Sequence, residues 1–494
     1  MNMDIKKRKN DKWEDGSLLK KVFGVVFDEK LVFGVDPSKK ILDFKHPKEM
    51  EELLQLSIND EGLTAAEAEA MIDKIVKYSV RTQHPYFLNQ QFHGIDEVGL
   101  MSAWLTEALS SNQHTYEISP VFVLIEKFVI SKMNALIGWP EGDGIFSAGG
   151  SLSNTYAMAL ARHRHCPGVK RTGVFGMKKL VAFASDQCHY WIHKTAALMG
   201  LGLDNLVLVP TDARGRMIPA ALKEAIKKTR EEGRDPFFVA ASSGTTVLGS
   251  FDPLDEIADV CEGEGLWLHT DACWGGIVLL SKKHKHNMKG IERCDSLAWN
   301  PHKMLGAPLQ CSPFFTKHKG LLRECNSAQA TYLFQQDKVY DVNYDIGDMS
   351  FQCGRKPDAN KLYLILSFHG LADIERKIDA AFEASSYFSK KIAKREGFRL
   401  VVAEPQCTNV CFWFIPKSLR DQEETPEWWQ KLSKVSPEIK ARMMKQGTLM
   451  IGYQPLKSKN FVNFFRLTNH CIPCPTKATM DYVISEIERL GEDL

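Results

Sequence analysis

An excess of charge of either sign is missing: 63 Lys and Arg stand against 61 Asp and Glu, a formal +2 over 494 residues. No overall basic field exists to hold nucleic acid or an anionic membrane, so any anion must meet a local site. Long apolar runs are missing too. Stretches such as Val121 to Ile125 stop after a few residues, far short of the roughly 20 that cross a bilayer. The basic start MNMDIKKRKNDKWEDG leads into no apolar segment of secretory type, which makes a cytoplasmic location the expectation. Lys6-Lys7-Arg8-Lys9 reads as a solvated tail rather than a nuclear address. The 12 Cys are scattered rather than framed in a short array, so free thiols are expected and structural disulfides are not. Internal repeats, low-complexity blocks and heptads are absent.

What is present is the make-up of a soluble globular protein of two or three domains, 44% hydrophobic and 25% charged. As far as Tyr78, segments such as LLKKVFGVVFDEK space apolar residues by three and four, which predicts amphipathic helices. From about Leu105 to Gly306 short apolar runs alternate with helical stretches: LVAFAS, NLVLVP, PFFVAAS, LWLHTDA and SLAWN. Near-continuous apolar strands separated by helices predict a mostly parallel sheet covered on both faces. Ligands of such sheets bind at the carboxyl ends of the strands. After Lys361 the strand-like FRLVVAEP, NVCFWFIP, GTLMIGYQP and NFVNFFRLT alternate with helices such as Lys377 to Arg395, a smaller α/β domain.

Several residues that carry chemistry fall at strand ends. Asn300-Pro301-His302-Lys303 follows a strand, and a lysine there forms a Schiff base if its surroundings lower its pKa. Asp271 ends LWLHTDA; pyridoxal phosphate needs such a carboxylate to keep its ring nitrogen protonated. Ser147-Ala148-Gly149-Gly150-Ser151 opens a helix, where small residues and free N–H groups suit a phosphate. His189 follows LVAFAS, and Gly244-Thr245-Thr246 follows PFFVAAS. Alone, each has a blander reading: a surface lysine, a tight turn, a hydrogen-bonded histidine at a helix start. Together they converge on one sheet edge.

HTDACWGG, WNPHKML, YLFQQDKVYD and SNTYAMALAR resemble the group II pyridoxal-phosphate-dependent amino acid decarboxylases, from about Tyr78 to Leu494. TYEISPVFVLIE, GTTVLGSFDPLDEIADVCE and CFWFIP resemble its acidic amino acid branch, the cysteine sulfinate, glutamate and glutamate-decarboxylase-like enzymes. The resemblance implies an α/β fold of the aspartate-aminotransferase-like fold type I, with a mostly parallel seven-stranded sheet. It implies an N-terminal helical arm and dimerisation segment over 1–104, a cofactor domain over 105–361 and a small domain over 362–494. It also implies a homodimer with active sites at the subunit interface. Lys303 would hold the cofactor covalently, Asp271 would pair with the ring nitrogen, and Gly150, Ser151 and Asn300 would hold the phosphate. His189 would stack on the ring, with Thr246 and His302 nearby. Tyr332 matches the tyrosine of a catalytic loop that covers the neighbouring subunit's site and would protonate Cα; Arg466 matches the arginine that grips the α-carboxylate.

For the substrate, Gln90 in HPYFLNQQFHG matches a family glutamine near the side-chain acid, and Phe92 resembles the cysteine sulfinate enzymes. A ring there shortens the pocket, favouring cysteine sulfinate (to hypotaurine, on the route to taurine) and aspartate (to β-alanine) over glutamate. The extra methylene of glutamate is worth roughly 1–3 kcal/mol. Asn112 instead resembles the glutamate enzymes, which leaves GABA formation as the alternative. His114 and the stretch Leu467 to His470 depart from the family pattern. Another class of function would use Cys471-Ile472-Pro473-Cys474 for thiol redox or zinc, but a redox unit needs the pair at a helix start and zinc needs further ligands. A non-catalytic scaffold is the remaining alternative, although each expected cofactor residue is present.

Overall fold

A computed structural model describes residues 16–58 and 60–494; the Lys6 to Lys9 run lies outside them. Among the described residues, twelve strands form two sheets. In chain order they are β1 Phe87–Leu88, β2 Asp143–Phe146, β3 Leu180–Ser185, β4 Leu206–Val209, β5 Asp235–Ser242 and β6 Trp267–Ala272. Then come β7 Ser296–Trp299, β8 Pro313–Thr316, β9 Phe398–Leu400, β10 Asn409–Phe414, β11 Met450–Leu456 and β12 Phe461–Thr468.

The larger sheet has seven strands in the order β2-β8-β7-β6-β5-β3-β4. Only β8 runs against the others, so the mostly parallel seven-stranded α/β sheet is borne out. Successive side chains of a strand face opposite sides, and both sides are buried. Val181 and Phe183 of β3 join Val239 and Leu268 in a core with the helices Pro120–Ile137, Pro219–Glu231 and Leu254–Glu264. Leu180, Ala182 and Ala184 join Phe238 and Ala240 in a second core under the helices Gly150–His165 and Trp191–Leu198. This double cover explains why these strands lack polar alternation. β2 and β8 escape the sequence reading because DGIF and PFFT begin with Asp-Gly and Pro, residues that read as turns rather than strands.

The smaller sheet, β1-β11-β12-β10-β9, packs on the helices Pro426–Gln446 and Lys477–Leu490. Its edge strand β1 comes from the N-terminal segment and pairs with β11 through Phe87↔Met450 and Leu88↔Ile451. The helix expected from Lys377 to Arg395 is the end of a longer element, Ala359–Ile392, which kinks at Gly370 (φ 71) and joins both cores. Near the N-terminus, Thr64 and Glu67 form a reciprocal capping box at the start of Ala65–Tyr78. This separates that helix from Pro47–Leu54. No helix among the described residues is long and apolar enough to cross a membrane.

Candidate functional site

Parallel register brings the carboxyl ends of β5, β6 and β7 level, with Ser242 opposite Asp271 and Asp271 opposite Ala298. The loops that follow these strands enclose a cavity of about 160 Å³. Gly150, Ser151, His189, Thr246, Asp271, Asn300 and Lys303 all line it. The strand-end logic thus placed seven of the expected residues around one space.

At the helix end of the cavity the backbone itself is the cradle. A Cβ on Gly150 would lie 2.6 Å from both Asn300 Nδ2 and Cys273 Sγ, so only glycine leaves room. Asn300 Oδ1 is buried without a partner. Gly150 also opens a 16-residue helix whose first N–H groups have no carbonyl within the helix to bond.

Asp271 carries the charge on the cavity floor. It accepts hydrogen bonds from Trp191 Nε1 at 2.8 Å and from the Cys273 N–H at 3.2 Å. Burial alone would raise its carboxyl, but the neighbouring His189 and Lys303 charges outweigh this and hold it below the ordinary carboxylate range. Burial lowers His189, against the pull of Asp271. Lys303 Nζ donates to Gln91 Oε1 at 3.2 Å. An anionic carboxylate, a lysine amine and a glycine-only anion cradle in one cavity match the needs of pyridoxal phosphate.

The glutamine at Lys303 is Gln91. Gln90 does not line the cavity, and its carbonyl accepts from Thr468 Oγ1 at 2.8 Å. Arg466 does not line it either but stands directly behind: it donates to the carbonyl of the cavity residue Thr246 at 2.9 Å and to that of Asn89 at 3.2 Å. Phe92 is 38% exposed and off the lining. His302 is buried with Nδ1 turned to the Cys311 backbone, 2.7 Å from its carbonyl oxygen, and burial pushes its pKa to about 4. Asn112 Oδ1 accepts from the Arg355 N–H, and His114 Nδ1 lies 3.2 Å from Thr115 Oγ1; neither lines the cavity. Tyr332 is 76% exposed on a surface turn. Cys471 is buried and Cys474 exposed, and no metal-binding group of three His, Cys, Asp or Glu exists among the described residues.

Sequence reasoning missed Gln91, Asn154, Tyr190, Ser242, Cys273 and Trp274 of the lining. Asn154 and Cys273 sit in stretches already singled out, at positions whose direction only the fold reveals. The buried pair Glu126 and Arg355 was missed as well. Both side chains bond the Phe146 backbone at the end of β2, just before the Gly149-Gly150 turn.

Comparison with known proteins agrees with this geometry. The family model described as the pyridoxal-dependent decarboxylase conserved domain matches residues 47–415. Human cysteine sulfinic acid decarboxylase is 49% identical over 481 residues, 97% of this chain and 96% of that protein. The bovine acidic amino acid decarboxylase GADL1 is 48% identical over 471 residues, 95% of this chain and 90% of its own. The crystal structure of mouse CSAD superposes with a TM-score of 0.93 at 48% identity, covering 97% of this chain and 98% of that one.

Proposed function

The chain belongs to the pyridoxal-dependent decarboxylase family and is a carboxy-lyase using pyridoxal phosphate; from that premise we propose that it removes the α-carboxylate of small acidic amino acids. The substrates are cysteine sulfinate and aspartate, giving hypotaurine and β-alanine. The observation that carries this reading is Arg466, buried beside the cavity with no carboxylate partner among the described residues and with Nε unbonded. A buried guanidinium without a counter-charge is costly, and a substrate acid supplies one. The names of the relatives point to the same class of substrate.

Pyridoxal phosphate, when bound, supplies a sink for the electrons released with carbon dioxide. The residues divide the remaining work. Lys303 holds the cofactor covalently. Gly150, Ser151 and Asn300 would hold its phosphate, at the glycine cradle beside Asn300 Nδ2. Asp271, kept anionic, holds a proton on the ring nitrogen, and His189 packs on the ring. Arg466 is assigned to the substrate's side-chain acid rather than to the α-carboxylate that the resemblance implied, because every amino acid carries the latter and it leaves as carbon dioxide. Thr246 shapes the wall between Arg466 and the cavity.

A proton for Cα is assigned to Tyr332. Its exposure on a surface turn, away from its own chain's cavity, suits a residue that reaches a neighbouring subunit's site. A homodimer face is supported by apolar side chains on two helices. Met101, Leu105 and Leu109 share one face of Glu97–Leu109, and Val121, Leu124 and Phe128 one of Pro120–Ile137; all are more than 40% exposed.

The test is direct. Purified protein incubated with cysteine sulfinate or aspartate should yield hypotaurine or β-alanine by mass spectrometry, and light scattering should give twice the 55.8 kDa chain mass. Failure to form either amine overturns the substrate reading; a monomer overturns the assignment of Tyr332 to a neighbouring site.

A further inference from the structure

Behind the carboxylate end of the cavity lies a second cation that the reading above does not use. Lys440 sits on the helix Pro426–Gln446, between the buried Ile439 and Met443 of that helix. Its side chain is partly buried, and Nζ donates to Asn89 Oδ1 at 2.9 Å. The carbonyl of the same Asn89 accepts from Arg466 Nη2 at 3.2 Å. Two residues on, Gln91 Oε1 accepts from Lys303 Nζ at 3.2 Å. One short segment thus ties Lys440 to Arg466 on one side and to the lysine of the active site on the other.

What sets these two cations apart is that they converge on one residue, Asn89, beside the cavity without an anion between them. Two fully buried cations are paired, Arg355 with Glu126 at 2.9 Å and Lys361 with Asp358 at 2.7 Å, while the half-buried Arg162 and Lys459, outside the cavity lining, bond only backbone carbonyls. Lys440 and Arg466 bond only neutral oxygens and form no ion pair among the described residues. Desolvation of the ammonium, with no compensating carboxylate, pushes the Lys440 pKa down to about 8. A buried segment that carries two cations and no anion has its charge matched only when an anion arrives.

We propose that Lys440 is a positioning residue for the acidic substrate: through Asn89 it fixes the Arg466 guanidinium and leaves a second unmatched positive charge behind the carboxylate end of the cavity. The proposal rests on the acidic amino acid reading and names a residue that gives the site its preference for anions. Lys440 touches neither cofactor nor substrate; it acts through Asn89.

Three variants of the holoenzyme test it, with KM for aspartate, kcat, melting temperature and the calorimetric Kd for succinate, a diacid without an amine, as readouts. Lys440→Met should raise both KM and the succinate Kd about tenfold while kcat stays within about threefold. Lys440→Arg should restore most of the loss. Asn89→Asp should keep the melting temperature, since it pairs with Lys440, yet still raise both constants by neutralising the surplus charge. If Lys440→Met only lowers the melting temperature, or Asn89→Asp leaves KM and Kd within twofold of wild type, the proposal is wrong. Should Lys440→Met fail to fold, Asn89→Asp decides alone. Wild type that binds succinate and turns over aspartate beside unchanged variants sinks this proposal only. Wild type that does neither sinks the substrate reading and this proposal with it.

Discussion

In the proposed reading the two ends of the cavity solve opposite electrostatic problems. At the ring end the protein brings its own anion: Asp271 is bonded by two N–H donors and flanked by His189 and Lys303, so its charge is matched inside the fold. At the carboxylate end it brings cations and withholds the anion, with Arg466 and Lys440 resting on neutral oxygens. The first end is built from the loops of the large sheet, the second from a strand and a helix of the small one. A site that must protonate a ring nitrogen carries its counter-charge permanently. One that must recognise an acid leaves the counter-charge to the substrate, which makes binding of a neutral competitor unfavourable.

Substitutions at the two ends should separate these roles. Lys303→Ala should lower kcat/KM at least about a thousandfold and abolish the cofactor band near the visible edge, read by spectrophotometry. Arg355→Met breaks a buried pair that is internally matched. It should cost about 3–5 kcal/mol of stability in denaturant unfolding without selectively raising KM for acids, in contrast to Lys440. Asp271→Asn keeps the shape but loses the charge; kcat should fall about a hundredfold while KM for aspartate stays near wild type, because only the ring end is disturbed. Gly150→Ala puts a methyl 2.6 Å from Asn300 Nδ2 and Cys273 Sγ and should weaken cofactor binding about tenfold in a fluorescence titration. The smallest effect is expected of Phe92→Ser, a shift of about threefold in the glutamate-to-aspartate kcat/KM ratio, since the ring lies off the cavity lining. A shift far larger than this would show that Phe92 shapes the pocket directly.

Much of the ring end was legible in the sequence. Glycines before a helix, and an Asp and a Lys after apolar runs, keep their meaning because strand ends in a parallel sheet all face one crevice. The carboxylate end was harder to read, for its parts come from residues 89–91, 246, 440 and 466, which no local periodicity links. Nor does the chain show which of Gln90 and Gln91 points inward, since neighbours past a strand end face opposite ways. His302 illustrates the converse: adjacency to Lys303 suggested chemistry, while the backbone turns its ring to Cys311. The short strands β1, β2 and β8 owe their existence to partners far away in the chain, so their own residues carry little signal.

The central claim, that unmatched cations select a small acidic substrate, is tested most directly by carbon dioxide release from cysteine sulfinate, aspartate, glutamate and leucine under one set of conditions. The account predicts that kcat/KM for cysteine sulfinate and aspartate exceeds that for glutamate, with leucine at background. Fastest release from glutamate would contradict the proposed preference for the shorter acids, and fastest release from leucine would contradict the claim itself.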